Sequence, residues 1–130
     1  MKVLLAEDEE DIRRLAVMGL KRGSDWQILE AADGEECLQL AHQEHPDLVL
    51  LDAMMPKLDG FQVCQRLKTT AATRDIPVIF LTASVQEWET QRGLALGAIG
   101  YLYKPFDPMQ LRQQVLDLLA QTGPVPSSSG

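Results

Sequence analysis

A doubly wound α/β fold, with five parallel strands and helices on both faces, is predicted by three observations. Short apolar runs alternate with segments of helical period five times along the chain. The runs are nearly continuous in apolar residues, most clearly at Leu48-Val49-Leu50-Leu51, as strands buried on both faces are. The connections between runs are short, and strand–helix–strand units joined this way give parallel strands with right-handed crossovers.

Residues 2–6 read as the first strand, which stops at Glu7-Asp8. A helix follows over 9–22, with Ile12, Leu15, Ala16 and Gly19 as its apolar stripe and Lys21-Arg22-Gly23 closing it. Residues 26–31 form a weaker strand. Asp33-Gly34-Glu35-Glu36 has capping-box spacing and opens a second helix that runs to about Gln43. Pro46-Asp47 breaks the chain ahead of the central strand, 48–52. The third helix covers 61–69 and the fourth strand 77–82. Ser84-Val85-Gln86-Glu87 repeats the capping-box spacing and opens a fourth helix, which Gly97 ends. Residues 99–103 are the fifth strand. Asp107-Pro108-Met109-Gln110 starts the last helix, with proline in its first turn and Leu111, Val115, Leu118 and Leu119 as its buried stripe. One domain is expected over residues 1–122, and Gly-Pro-Val-Pro-Ser-Ser-Ser-Gly over 123–130 reads as a flexible linker or an added tail.

The 130 residues suffice for one domain with a core of its own, and 45% hydrophobic with 24% charged residues is the balance of an ordinary globule. A net charge of −7 argues against direct nucleic-acid binding by this domain, which needs a basic face. No run approaches the roughly 20 apolar residues of a membrane span. The chain enters a strand at once, without a leader, so a cytoplasmic location and no membrane partner are expected. Cys37 and Cys64 lack CxxC spacing and read as reduced core or half-buried thiols.

Chemistry collects where the strands end. In open α/β sheets, ligands bind at the carboxyl edge of the strands. The first strand delivers Glu7-Asp8 there, the third Asp52, the fourth Thr82 and the fifth Lys104. Asp52 is followed by Met55-Pro56 and Asp59-Gly60, Thr82 by Ala83, and Lys104 by Pro105-Phe106. Taken together, in this order, over about residues 2–121, these pieces resemble a response-regulator receiver domain of the CheY-like superfamily, a flavodoxin-like (βα)5 fold.

The resemblance implies a phospho-accepting domain of a two-component phosphorelay. Asp52 would accept a phosphoryl group from a sensor histidine kinase or a histidine phosphotransfer protein. Mg²⁺ or Mn²⁺ would be held by Glu7, Asp8, Asp52 and the backbone carbonyl of Met54. Lys104 and Thr82 would contact phosphoryl oxygens. Thr82 and Tyr101 would form the switch, altering the surface over residues 84–121 that meets a downstream protein or effector domain. A cis Lys104–Pro105 bond would be family-like. Self-phosphorylation and autodephosphorylation are implied, without turnover of a separate substrate.

Some positions depart from the common pattern. The first acidic pair is Glu7-Asp8 rather than the more frequent two aspartates, Met54 and Ser84 stand where the family's residues flank the path of the hydrolytic water, and the segment Gly97-Ala98-Ile99-Gly100-Tyr101 lacks the acids through which many DNA-binding members of the family form symmetric dimers. Other readings remain open at this point. An aspartyl phosphatase would place an acid two residues after its nucleophile, where Met54 stands. A pseudo-receiver would not need the complete set Asp8, Asp52, Thr82 and Lys104. A mononucleotide binder would not carry an acidic first loop. Asp59 reads as a helix cap. Tyr101 is either a switch or a core aromatic, and Trp88 either a partner anchor or a packing residue. His42 and His45 read as solvated. The chain is either a single-domain regulator or a part of a larger regulator or hybrid kinase.

Overall fold

The structure, a computed structural model, describes residues 1–55, 57–83 and 86–122. Ten elements alternate: β1 (Lys2–Ala6), α1 (Glu10–Lys21), β2 (Gln27–Ala31), α2 (Gly34–Glu44), β3 (Leu48–Asp52), α3 (Gly60–Thr69), β4 (Val78–Thr82), α4 (Glu87–Ala95), β5 (Gly100–Tyr103) and α5 (Pro108–Thr122). The strands form one parallel sheet in the order β2-β1-β3-β4-β5. The order reverses between β1 and β3, which opens a crevice at their carboxyl ends.

Alternation along the strands builds two cores. Val3, Leu5, Leu48, Leu50, Ile79 and Leu81 face α1 and α5 through Ala16, Leu20, Leu111 and Val115. Leu4, Val49, Leu51, Val78 and Phe80 face α2 and α3 through Cys37, Ala41, Phe61, Val63 and Leu67. All residues of β3 and β4 are buried, as their unbroken apolar runs require. Cys37 and Cys64 are free, buried thiols, and burial pushes them up to about 12 and about 11.

The element boundaries fall within a residue or two of the sequence reading, but packing expectations fail in α1 and α5. Leu15 is 46% exposed. The buried line of α1 is Ala16, Gly19 and Leu20, so Leu15 sits on the edge of the helix. Leu118 and Leu119 of α5 are half-buried rather than buried. At α2, Asp33 accepts from the Glu36 N–H at 2.9 Å, but Glu36 returns its bond to the Ala32 N–H at 2.7 Å instead of to Asp33. Gln86 precedes α4 and supplies no side-chain cap. The expected Ser84 cap, Val85, Pro56 and the 123–130 segment lie outside the described residues.

Candidate functional site

The ends of four strands, β1, β3, β4 and β5, converge at the crevice. Asp52, the last residue of β3, pairs in register with Leu81, and Thr82 ends β4 opposite Tyr103. The Lys104 N–H donates to the Thr82 carbonyl at 2.8 Å, tying the β5 exit to β4. The Lys104–Pro105 bond is cis, as the resemblance implied. The side chains of Glu7, Asp52 and Thr82 are buried although polar, while Asp8 is exposed. An open cavity of about 700 Å³ reaches Asp52, Thr82 and Lys104, with Met54, Ile12, Leu15 and Phe106 among its walls.

One carboxylate oxygen each from Glu7, Asp8 and Asp52 lies within 4.8 Å of the others. Lys104 Nζ stands 2.6 Å from Glu7 Oε1 and 3.3 Å from Asp52 Oδ2. Buried Glu7 Oε1 thus has a charged neighbour but, among the described residues, no partner in hydrogen-bond geometry. The other oxygen, Oε2, accepts the Glu9 N–H at 3.1 Å. Asp52 Oδ1 accepts the Met54 N–H at 3.1 Å.

Such crowding shifts protonation. Burial and the adjoining Glu7 carboxylate push Asp52 from 3.8 up to about 7, against the pull of the Met54 N–H and Lys104. Burial alone would lower the Lys104 ammonium, but Glu7 and Asp52 hold it above its ordinary value. Three oxygen-bearing acids around an under-bonded buried oxygen fit a hard divalent cation, which prefers carboxylate and water ligands.

The α3 entry holds the edge at Asp52 in shape. Asp59 is the N-cap, accepting from the Gln62 N–H at 2.9 Å while its own N–H donates to Gln62 Oε1 at 3.1 Å. The cap reading of Asp59 therefore holds, and Gln62 completes a capping box that the sequence reading did not identify. Tyr101 stacks on Phe80 with ring centroids 5.3 Å apart and donates its hydroxyl to the Glu89 carbonyl at 2.7 Å. It passes beneath Gly93, the one residue of α4 classed as buried. A glycine in mid-helix costs about 1 kcal/mol relative to alanine, and that was the available signal for a close approach here. Trp88 is 61% exposed, and His42 and His45 are exposed.

Parallel strands in this order, with acids at the reversal point and a lysine across from them, define a flavodoxin-like domain of the CheY-like class. Residues 3–116 match the family model described as "Response regulator receiver domain", and the chain belongs to that family. It is 45% identical over 121 residues to the "Probable transcriptional regulator ycf27" of Cyanophora paradoxa, covering 93% of this chain and 49% of that protein. It is 40% identical over 121 residues to the "Alkaline phosphatase synthesis transcriptional regulatory protein PhoP" of Bacillus subtilis, again covering 93% and 49%. The chain thus spans about half the length of these relatives. The solved structure of the chemotaxis response regulator CheY4 of Vibrio cholerae matches with a TM-score of 0.84 at 30% identity, covering 91% of this chain and 98% of that one. No helix among the described residues is long and apolar enough to cross a membrane.

Proposed function

We propose that Asp52 accepts a phosphoryl group from a phosphohistidine, carried by a sensor histidine kinase or a histidine phosphotransfer protein. The observation that carries this reading is a buried carboxylate opening into a cavity, with Lys104 Nζ at 3.3 Å and Glu7 and Asp8 oxygens within 4.8 Å. An Asp52 oxygen attacks phosphorus, the P–N bond breaks with its electron pair leaving on the imidazole, and an acyl phosphate remains. Attack of one anion on another needs positioning and charge neutralisation. The Met54 N–H orients the carboxylate through Oδ1. Lys104 offers a point charge to one phosphoryl oxygen and Thr82 a hydroxyl to another. Mg²⁺ or Mn²⁺, held by Glu7, Asp8, Asp52 and the Met54 backbone carbonyl, would neutralise charge on the incoming group. Met54 cannot protonate a leaving group, which favours self-phosphorylation and autodephosphorylation over turnover of a separate substrate.

The test is intact mass after incubation with acetyl phosphate, with and without Mg²⁺. One phosphoryl adduct is expected, dependent on Mg²⁺ and absent in Asp52→Asn. An adduct that survives Asp52→Asn places the acceptor elsewhere.

Output would pass through Thr82 and Tyr101 to the surface of α4, β5 and α5, and from there to a downstream protein or effector domain in the cytoplasm. The net charge of −7 supports a protein partner rather than direct nucleic-acid contact by this domain. The names of the relatives support an output in transcription.

Gly93→Ala tests the switch. A Cβ there would run into the Tyr101 hydroxyl and lie 2.8 Å from the Phe80 ring. Tyr101 is expected to turn outward and lose its bond to Glu89, with phosphorylation by acetyl phosphate retained and amide exchange in α4 faster. A Gly93→Ala protein with wild-type exchange in α4 would detach Tyr101 from control of that helix.

A further inference from the structure

We propose that Arg13 is a positioning residue for the cation site, fixing the peptide that joins Glu7 to Asp8. The proposal rests on the reading of Glu7, Asp8 and Asp52 as cation ligands and adds a residue that contacts none of their carboxylates in the structure. Arg13 lies one turn into α1, and its side chain, 18% exposed, reaches back over the helix start. Nη1 donates to the Glu7 carbonyl at 2.8 Å, and Nε to Glu30 Oε1, on β2, at 3.2 Å. The Glu7 N–H donates to the Ala31 carbonyl at 3.0 Å.

Both polar groups of the Glu7 main chain are therefore tied, one to β2 and one to α1. The peptide unit is planar, so holding the Glu7 carbonyl also sets the Asp8 N–H and the direction of the chain into Asp8. Asp8 needs this help. No side-chain hydrogen bond or ion pair among the described residues holds it, and it is exposed. Without the Arg13 bond, the separation of the Glu7 and Asp8 carboxylates would be left to a loop.

The charge of Arg13 is placed with equal economy. It pairs with Glu30 and holds a carbonyl, so the ligand oxygens stay open to a cation. Lys104, by contrast, faces the carboxylates themselves. Arginine suits the task because its planar fork can serve two acceptors in fixed directions.

Calorimetric titration of Mg²⁺ into the metal-free chain tests this, with thermal unfolding in EDTA measured alongside. Arg13→Met is expected to weaken Mg²⁺ binding about tenfold, the usual scale for losing an outer-shell support. Arg13→Lys should recover part of the loss, and Glu30→Gln should weaken binding in the same direction by less. Wild-type affinity in Arg13→Met overturns the proposal, as does a change confined to unfolding in EDTA, which would make Arg13 a packing residue. If Arg13→Met does not fold, Glu30→Gln decides, and wild-type affinity there overturns it. Asp8→Ala, in the same titration, should lose Mg²⁺ binding. Wild-type affinity in Asp8→Ala would instead bring down the cation site itself.

Discussion

Asp52→Asn is expected to stabilise the metal-free protein while it abolishes phosphoryl acceptance. Asp52 is 4% exposed, and burial together with Glu7 raises its carboxyl from 3.8 to about 7. Between those two values the folded chain holds a proton that the unfolded chain has released. Stability of the metal-free wild type must then fall as pH rises from about 4 to about 7, and level off above. Each unit of pKa difference is worth about 1.4 kcal/mol, so a neutral amide at this position should add roughly 1–4 kcal/mol at pH 8. Denaturant unfolding in EDTA at pH 5 and pH 8 measures it. The wild type should lose stability over that interval relative to Asp52→Asn. A wild type that gains on Asp52→Asn between the two pH values would show that its carboxylate is welcome where it sits. Mg²⁺ should offset most or all of that difference, since binding to the folded state at about 100 times Kd adds about 2.7 kcal/mol. The repulsion that destabilises Asp52 in the metal-free edge is the repulsion that a bound cation beside Lys104 would relieve.

The legible part of this molecule is the part written in local pattern. β3 and β4 were readable because continuous apolar runs leave a strand no exposed face, and Asp52 and Thr82 stood out as the polar residues on which those runs stop. The order Glu7-Asp8, Asp52, Thr82 and Lys104 along the chain is enough to put these four groups at one edge of a parallel sheet. Leu15 was misplaced because a helical stripe has an edge, and periodicity alone does not say which of two neighbouring apolar residues lies outside it. Arg13 left no signal in the sequence, and Gly93 only that of a glycine in mid-helix, for a different reason. Each acts between elements that only the fold brings together, Arg13 of α1 with Glu30 on β2 as well as the nearby Glu7 carbonyl, and Gly93 of α4 with the Phe80 and Tyr101 rings of the sheet. No spacing in the chain records either. Glu7 was legible as an acid at the edge but not as a fully buried one, because burial of a charge depends on Lys104, nearly a hundred residues away.

Gly60→Ala is expected to destabilise the fold and to slow phosphorylation of the protein that remains folded. Gly60 opens α3 directly behind Asp52, its N–H donating to the Ala53 carbonyl at 3.0 Å. A Cβ at this position would overlap the Asp52 carbonyl oxygen and lie 2.8 Å from Ala53 Cα. These obstacles are main-chain atoms, so no rotamer change relieves them, unlike the side-chain contacts at Gly93. Either α3 backs away from β3, opening the core around Phe61 and Val63, or the Asp52–Ala53 peptide tilts. The first route costs packing and the second moves the nucleophile, and overpacking of this kind costs roughly 1–3 kcal/mol or more. Asp59→Ala is the comparison, because it removes the α3 cap for about 1 kcal/mol and leaves the peptide behind Asp52 in place. Thermal unfolding and the Mg²⁺-dependent phosphorylation rate, taken well below the transition, separate the two. Gly60→Ala should lower both, Asp59→Ala chiefly the first. A Gly60→Ala protein phosphorylated at the wild-type rate would mean that the helix yields and the acceptor does not, so that Asp52 is positioned by its own strand and the Met54 N–H alone.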